Sequence, residues 1–395
     1  MPPLRILHVT PYFTDAWAYG GIPRVAGALA RGLAKRGHAV TVCTTDARDA
    51  SSRAAVPSGQ TMDGVAVHVF PNFSNRLAYH LQLFLPLRLG SFLRRHRAAF
   101  DVAHVHACRN LPGAIAARHL RKAGVPYVIA PNGTAPNIER RRLAKRAFDV
   151  LFGRRVLTGA ARVIAVSDAE RRQLLALGVP SDAIRIVANP IDLGEFDPPI
   201  ARGRFRAALG IGSSPIVLFL GKLTPRKRVD DLMRAFASLA RPDARLVIAG
   251  NDMGSETQLR ALAASLDVVD RTIFAGLLHG RQRLEALGDA DVVVYPSQDE
   301  IFGLVPIEAL LAGTPVIVAD DSGCAEVVRA TGAGRITPLG DIDALAAAIG
   351  QVLQEADRGR QQAAAAASRI RQLYGDAMVC ERLERVYDEV VDARA

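Results

Sequence analysis

Short apolar runs alternate with helical patterns along almost the whole chain of 395 residues. Runs such as Val292–Tyr295 are rich in β-branched residues and bounded by turn residues, which is typical of strands buried on both faces of a parallel sheet. Parallel strands need a crossover between them, and the intervening helical segments supply it. The sequence therefore predicts an α/β fold built on parallel sheets.

The predicted strands form two groups, which indicates two βα arrays. In the first half they are Leu4–Thr10, Ala39–Thr45, Val65–Phe70, Val102–Ala107, Tyr127–Ala130, Arg162–Val166 and Ile184–Ala188; in the second half they are Ile216–Gly221, Arg245–Gly250, Arg271–Ala275, Val292–Tyr295, Pro315–Ala319 and a short piece near 334–337. Since single cores rarely grow beyond ~250–300 residues, we expect two domains, over residues 1–192 and 193–375. The proline-containing segment 189–199 is the predicted linker.

Two glutamates, Glu300 and Glu308, stand on either side of a predicted helix start. A carboxylate accepts two hydrogen bonds at once, so it fits the vicinal diol of a ribose or a hexose. The alternative is that Glu308 caps its helix and Glu300 is a solvated loop charge.

The segment between the two glutamates has the features of an anion site. Pro306 suits the first turn of the predicted helix, where its missing N–H costs nothing. The N–H groups near Phe302, Gly303 and Leu304 then lack helical partners, and together with the helix dipole they suit a phosphate. We expect Gly303 to let a ligand approach the backbone.

A second feature is a cluster of cations after the predicted strand that ends at Gly221. Lys222, Arg226, Lys227 and Arg228 follow within seven residues. Open α/β sheets bind ligands at the carboxyl ends of their strands, where such cations would neutralise a diphosphate. The alternative is a solvated basic loop, and neither the Walker A nor the dinucleotide fingerprint fits.

Together these residues resemble the family 4 glycosyltransferases of the GT-B fold, and the resemblance covers almost the whole chain. Its motifs are Tyr19–Ile22, Arg36–Val40, Asn189–Asp192, Gly221–Lys227, Ala249–Asn251, Phe274–Gly276, the Glu300/Glu308 pair and Gly313–Val316. Each motif is weak alone, but the set is specific in this order and spacing. The resemblance implies two Rossmann-like domains whose parallel sheets face each other across a cleft, with the last helix, 376–395, returning to the first domain.

The resemblance also assigns roles in the second domain. It implies that Glu308 holds the nucleotide ribose and that Glu300 contacts the hydroxyls of the donor sugar. Lys222 and Lys227 would neutralise the diphosphate, helped by Arg226. Relatives often have arginine at the position of Lys222, so lysine keeps the positive charge there but cannot form the bidentate hydrogen bonds of arginine. The other implied donor-binding residues are Phe302, Gly303, Leu304, Asn251, Gly276 and Leu278, the last two lying beside the base.

In the first domain the resemblance places Gly20 and Gly21 in a loop near the reaction centre. Relatives often carry His or Arg in the loop after Tyr127–Ala130, where this chain has Asn132. A neutral amide cannot act as a base, so we expect this loop to supply mainly backbone groups. His106 is a further candidate for lining the acceptor site.

No catalytic metal and no cofactor other than the nucleotide-sugar co-substrate are expected, with lysine and arginine balancing the diphosphate. His104 and His106 point to one face of a predicted strand, but as a metal pair they lack a third ligand. The segment Asp289–Asp291 has the Asp-x-Asp spacing that holds a metal in another glycosyltransferase fold, yet it precedes a buried strand, which favours helix-ending and loop roles. His279 could contact the nucleotide, although a loop histidine is more often inert.

The formal net charge of +11 is compatible with nucleic acid, with an anionic membrane surface, or with an Arg- and Ala-rich genome. We expect no nucleic-acid partner, because no binding motif is apparent and aromatic residues are only 6%. Basic and apolar residues alternate over 76–97 and 139–148, which is typical of helices that lie on anionic lipid. The alternative is a core helix with a solvated basic face.

The scattered cysteines fit a reducing cytosol and argue against a zinc site or a disulfide framework. They are Cys43, Cys108, Cys324 and Cys380. No apolar run approaches twenty residues and no signal-peptide pattern is visible, so we expect a cytoplasmic protein that is peripheral on the cytoplasmic face of a membrane if it docks there.

The sequence thus predicts a retaining, metal-independent glycosyltransferase. It would move a sugar from a nucleotide-sugar donor to a hydroxyl of a glycan or lipid-linked acceptor in polysaccharide or glycolipid assembly; retention and acceptor class are implied by the resemblance. The alternatives are a nucleotide-sugar epimerase, which needs no acceptor, and a non-catalytic sugar-nucleotide-binding protein.

Overall fold

The computed structural model describes residues 2–13, 16–54, 58–136 and 142–394, which divide into two compact units. The first unit comprises Met1–Ile191 and Tyr374–Ala395, and the second comprises Asp192–Leu373. Each unit is built on its own sheet.

The strands of the described residues form an eight-stranded sheet in the first unit and a six-stranded sheet in the second. The first sheet contains β1 (Arg5–Val9), β2 (Ala39–Thr45), β3 (Gln60–Met62), β4 (Val65–Phe70), β5 (Val102–His106), β6 (Tyr127–Ala130), β7 (Arg162–Ala165) and β8 (Ile184–Ile186), in the order 3-4-2-1-5-6-7-8. The second contains β9 (Ile216–Leu220), β10 (Arg245–Ala249), β11 (Thr272–Gly276), β12 (Val292–Tyr295), β13 (Val316–Ala319) and β14 (Arg335–Thr337), in the order 11-10-9-12-13-14.

The helices fill the crossovers between these strands. They are α1 (Ile22–Lys35), α2 (Asn75–Leu81), α3 (Leu89–His96), α4 (Leu111–Ala123), α5 (Arg142–Phe148), α6 (Arg154–Thr158), α7 (Asp168–Ala176), α8 (Arg204–Ala208), α9 (Val229–Ala237), α10 (Glu256–Ser265), α11 (Gly280–Asp289), α12 (Leu304–Leu311), α13 (Gly323–Thr331), α14 (Ile342–Gln354), α15 (Ala356–Tyr374) and α16 (Asp376–Asp392). A π-helical turn over Asp149–Gly153 joins α5 to α6.

The last helix, α16, packs against α1 within the first unit. Close approach is possible because Gly32 has no side chain: a Cβ there would lie 2.5 Å from the Cys380 sulfur. At one end of the contact the Arg36 guanidinium donates two hydrogen bonds to the Glu384 carboxylate. The C-terminal helix is therefore an integral part of the first unit.

The strand order of the second sheet reverses at β9: β10 and β11 follow on one side of it, and β12, β13 and β14 on the other. A reversal of this kind leaves a crevice outside the carboxyl ends of the two central strands, where open α/β sheets bind ligands. The loops that follow β9 and β12 are thereby neighbours. Next to them, Gly250 must be glycine, because a Cβ there would lie 1.7 Å from the Gly221 carbonyl oxygen.

The predicted strands are confirmed to within one or two residues at each end, and their neighbours are parallel except at one edge. The exception is β3, which the sequence analysis missed and which pairs antiparallel with β4. The prediction of a helical pattern over 76–97 is wrong in part, because residues 82–88 separate α2 from α3. No helix among the described residues is long and apolar enough to span a membrane.

Candidate active site

The loops after β9 and β12 are held together by the residue Arg226. Its backbone carbonyl accepts a hydrogen bond from Gln298 N at 2.9 Å, and its guanidinium donates to the Asp299 carbonyl at 3.4 Å. The first loop makes a 3-10 turn over Pro225–Lys227, where proline supplies the φ angle that the turn needs. The predicted basic cluster thus lies directly beside the loop that carries Glu300.

Lys227 and Glu300 form a nearly buried ion pair at the carboxyl ends of β9 and β12. Their side chains are 10% and 13% exposed, and the Lys227 ammonium also donates to the Tyr295 hydroxyl. Burial lowers the pKa of Lys227, but the Glu300 carboxylate offsets that and leaves the pKa above its ordinary value. Burial raises the pKa of Glu300, but Lys227 and then Arg226 bring it below its ordinary value. Both groups are therefore charged at neutral pH.

Two glycines fix the loop that carries Glu300. Gly323 N donates to the Glu300 carbonyl at 2.6 Å, and a Cβ on Gly323 would lie 2.0 Å from the Ile301 carbonyl oxygen. A Cβ on Gly303 would lie 2.5 Å from the Cys324 sulfur. Packing against Cys324 is thus one reason for glycine at position 303, and the approach of a ligand to its backbone stays a prediction.

Glu308 lies on the second turn of α12 and is fully buried. Its carboxylate is ion-paired with the Arg283 guanidinium of α11, which also pairs with Glu195 in the short helix Leu193–Phe196. Sequence reasoning missed Arg283, because a single arginine in a predicted amphipathic helix reads as solvated.

The other predicted donor-binding residues lie at the same edge of the second sheet. Lys222 and Asn251 follow β9 and β10, and the Asn251 carbonyl accepts from Leu223 N at 2.9 Å. Gly276 ends β11 with a left-handed φ of 69°, two residues before the half-buried Leu278. Phe302 and Leu304, which flank Gly303, are buried and half-buried.

In the first unit the Asn132 loop is built by hydrogen bonds from several directions. Asn132 has a left-handed φ of 51°, a conformation that asparagine tolerates better than most residues. Glu170 of α7, which is fully buried, accepts from Gly133 N at 2.6 Å and from Val166 N at 2.9 Å. Burial raises the pKa of Glu170 to about 7, against the effect of these two N–H groups. Sequence reasoning missed Glu170, whose partners are backbone groups on two other loops.

The two glycines predicted to lie near the reaction centre sit at the start of α1. Gly20 has a left-handed φ of 92°, and Gly21 is the residue that precedes the helix. Tyr19, next to them, stacks on Tyr12 within a buried aromatic cluster. This packing fixes the entry of the chain into α1.

The statement that His104 and His106 lack a third ligand is wrong, because His8 of the neighbouring strand β1 supplies a third imidazole. One ring nitrogen from each of the three imidazoles lies within 4.8 Å of the others, which is close enough for a shared metal ion. The His104 and His106 rings stack at 4.2 Å with an interplanar angle of 5°. His8 Nδ1 is already 3.0 Å from His106 Nε2, and His104 Nδ1 is 2.7 Å from the Tyr387 hydroxyl.

Burial also keeps this histidine cluster neutral. It lowers the pKa of His8 to about 3 and the pKa values of His104 and His106 well below the ordinary one. His106 is 0% exposed, so the expectation that it lines the acceptor site is corrected. Its ring is part of the core of the first unit.

Asp289 and Asp291 have structural partners, as expected from their position before a strand. Asp289 accepts hydrogen bonds from Gly203 N and Arg206 N, and Asp291 is ion-paired with Arg206 and Arg360. Both carboxylates are thereby used to attach α8 and α15 to the second sheet.

Most of this chain matches two known protein families. Residues 19–195 match the family described as Glycosyltransferase Family 4, and residues 202–369 match the one described as Glycosyl transferases group 1. The D-inositol 3-phosphate glycosyltransferase of Acidothermus cellulolyticus is 35% identical, over 85% of this chain and 78% of its own length. That of Kineococcus radiotolerans is 31% identical, over 95% of this chain and 92% of its own length. This chain belongs to the family 4 glycosyltransferases.

Solved structures place this family 4 glycosyltransferase in the GT-B fold. Sucrose-phosphate synthase from Thermosynechococcus elongatus superimposes with a TM-score of 0.79 at 21% identity, over 98% of this chain and 99% of that one. Anabaena HepE, solved with UDP and glucose, superimposes with a TM-score of 0.76 at 19% identity, over 98% and 100% of the two chains. The predicted fold class and enzyme class are confirmed.

Proposed function

We propose that this glycosyltransferase moves a sugar from a nucleoside-diphosphate donor to a hydroxyl of a glycan or lipid-linked acceptor, in polysaccharide or glycolipid assembly. The observation that carries the proposal is the charged Lys227–Glu300 pair at the carboxyl ends of β9 and β12. A donor supplies the two groups that such a pair recognises, an anionic diphosphate and vicinal sugar hydroxyls. HepE, a protein of the same fold, was solved with UDP and glucose.

Lys227, with Arg226 and Lys222 in the same loop, stabilises the leaving diphosphate in this proposal. An ammonium carries three N–H groups, of which Lys227 uses two for Glu300 and Tyr295. The third remains for a phosphate oxygen. Preorganised cations act on the charge that develops as the anomeric bond loosens, and they can do so without a metal ion.

Glu300 accepts hydrogen bonds from the donor sugar, and the configuration at the anomeric carbon is retained. The leaving phosphate takes the acceptor proton on the same face, so no side-chain base is required. The neutral Asn132 is compatible with this scheme, since its loop contributes backbone groups that Glu170 and Thr134 hold in place.

A transfer assay tests the proposal. UDP-, GDP- and ADP-sugars are offered with a panel of acceptors that includes inositol 3-phosphate, because the relatives above are named for it. We expect Lys227→Ala to lower turnover by about 10²–10³-fold or more, as the loss of a charge-stabilising donor does elsewhere. We expect Glu308→Ala to weaken nucleotide binding. Lys122→Ala and Glu256→Ala, on the surfaces of α4 and α10, serve as matched controls.

Each outcome of that assay separates the candidate functions. Transfer that survives Lys227→Ala and Glu308→Ala, with the fold intact, would refute the site. Conversion of one sugar nucleotide into another without an acceptor would instead identify an epimerase. Tight donor binding with neither transfer nor slow hydrolysis would identify a sensor.

We also propose that the first unit docks on anionic lipid. Around the second predicted segment Leu143, Val150 and Leu151 are 79%, 75% and 60% exposed, beside the exposed Arg146 and Arg154. Around the first segment further large apolar side chains are exposed, namely Phe73, Leu81, Leu83 and Leu87. Exposed apolar groups flanked by cations are the composition that binds an anionic interface. The predicted residues Glu139, Arg140 and Arg141 lie outside the described residues.

Sedimentation with vesicles tests the docking. Wild-type protein should co-sediment with vesicles that contain phosphatidylglycerol and much less with neutral phosphatidylcholine vesicles. The triple change of Leu143, Val150 and Leu151 to serine should abolish binding. Leu177→Ser, at an exposed leucine after α7, should not. Equal binding to both vesicle types would contradict the proposal.

A further inference from the structure

Tyr295 is the last residue of β12 and sits under the Lys227–Glu300 pair. Its side chain is buried, and its ring stacks on Phe219 of β9 with 5.9 Å between centroids and an interplanar angle of 10°. A ring held in this way by a neighbouring strand has one orientation. The position of its hydroxyl is therefore set by the sheet.

That hydroxyl joins the two charged groups. It accepts a hydrogen bond from the Lys227 ammonium and lies 3.3 Å from the Glu300 carboxylate, to which it donates. The ammonium also lies 4.6 Å from the centre of the Tyr295 ring, within the range of a cation–π contact. Three contacts thus close a triangle of one cation, one anion and one phenol.

The hydroxyl is not needed for the strand itself. A strand buried on both faces requires only an apolar residue at this position, and phenylalanine would fill the same space. Burying a hydroxyl is unfavourable unless it finds partners, and its partners are the two groups that the proposed function assigns to the donor. The hydroxyl is thus explained by the site and not by the fold.

We propose that Tyr295 is a positioning residue for sugar transfer, which holds the Lys227 ammonium toward the donor diphosphate and the Glu300 carboxylate toward the donor sugar. This inference rests on the proposed function. A diphosphate that accepts the third N–H of Lys227 competes with the nearly buried Glu300 for the same positive charge. The Tyr295 hydroxyl then supplies a donor that stays in place, because the ring is fixed by Phe219.

The test is Tyr295→Phe, with Tyr127→Phe as the matched control. Tyr127 is also buried, and its hydroxyl donates to the Val156 carbonyl within the first unit, whereas the donor loops belong to the second. We expect Tyr295→Phe to lower kcat by about 10–100-fold while the KM for the donor changes less than about 3-fold, because the group acts on geometry at the reacting centre. Tyr127→Phe should leave kcat unchanged.

The pH dependence of kcat gives a readout that a purely structural role would not move. A hydrogen bond from Tyr295 favours the ionised form of Glu300, so its loss should shift the acidic limb of the profile to higher pH. The charged groups facing Glu300 are Lys227 and Arg226, and both remain in the variant. An unshifted limb together with wild-type kcat would overturn the inference.

Lys227→Ala in the same assay separates this inference from the proposed function. If Lys227→Ala transfers sugar as well as the wild type, the proposed site is wrong and the inference falls with it. If Lys227→Ala is inactive and Tyr295→Phe behaves as wild type, only the inference about Tyr295 is wrong. If Tyr295→Phe and Tyr127→Phe lose kcat equally, in step with their loss of folded protein, the role is structural and the inference is also overturned.

Discussion

Removing one partner of the ion pair between Arg283 and Glu308 should change the stability of the second unit, and this effect can be measured without any substrate. Glu308 is 0% exposed, and the side chain of Arg283 is 5% exposed. Arg283→Leu keeps most of the side-chain volume but leaves the Glu308 carboxylate buried beside an apolar group. We expect it to destabilise the second unit strongly.

The magnitude follows from the burial of each partner. Removing one member of a buried ion pair costs about 3–5 kcal/mol, because the remaining charge has lost its compensation. Glu195, the other partner of Arg283, is 29% exposed, so losing that contact adds only about 0–1 kcal/mol. In a domain of ~150–250 residues, 1 kcal/mol shifts Tm by about 2–4 °C, so Arg283→Leu should lower the Tm of the unit by roughly 6–24 °C.

The assay must report on the second unit alone. Trp17, the one tryptophan of the chain, lies in the first unit, so its fluorescence does not serve. Differential scanning calorimetry gives the Tm, and amide hydrogen exchange of peptides from α11 and α12 assigns the change to the unit.

A double-mutant cycle completes the test. Replacing Glu308 by leucine as well should recover part of the lost stability, since no charge then remains buried. Glu195→Gln, the control, should cost less than about 1 kcal/mol. A single variant Arg283→Leu that costs less than about 1 kcal/mol, or a double variant no more stable than the single one, would refute the reasoning.

Two further predictions concern the loops of the two units. Gly323→Ala would place a Cβ 2.0 Å from the Ile301 carbonyl oxygen, so the loop that carries Glu300 must shift. We expect kcat to fall at least about 10²-fold while the Tm of the first unit stays unchanged. Unaltered kcat would contradict this. Burial raises the pKa of Glu170 from 4.5 in the unfolded chain to about 7, so protonation of this group favours folding below pH 4.5, and that contribution is lost as the pH rises to 7. Relative to Glu170→Gln, the wild type should lose up to about 3 kcal/mol of unfolding free energy between pH 4.5 and pH 7. Chemical denaturation of both proteins at several pH values measures this difference. The absence of a difference would mean that the Glu170 carboxyl titrates normally and would contradict the prediction.

The parallel strands could be predicted because each is a short apolar run, and their buried position leaves few alternatives. The edge strand β3 was missed because its residues, Gln60–Met62, are polar or half-exposed and carry no apolar pattern. A local signal did exist: Asp63 and Gly64 join β3 to β4, and both have positive φ angles, as a two-residue hairpin turn requires. Turn chemistry would have found this strand where hydrophobic periodicity could not.

Lys227 and Glu300 could each be singled out from the sequence because each belongs to a motif within one loop. Their partners could not be predicted where strand order brings distant residues together. His8 meets His106 across 98 positions because β1 pairs with β5, and no local pattern encodes that pairing. The full burial of Glu308 could not be predicted either, because the charge that pairs with it, Arg283, belongs to another helix.

The central claim is that carboxylates and cations at the strand ends of the second unit form one site for a nucleotide sugar. Hydrogen exchange measured with and without nucleoside diphosphates tests it directly, because bound ligand slows exchange where it contacts and orders the chain. The account predicts that the diphosphate which binds protects residues 221–228, 276–278 and 299–308 together. Binding with protection confined to the first unit, or to only one of these segments, would contradict it.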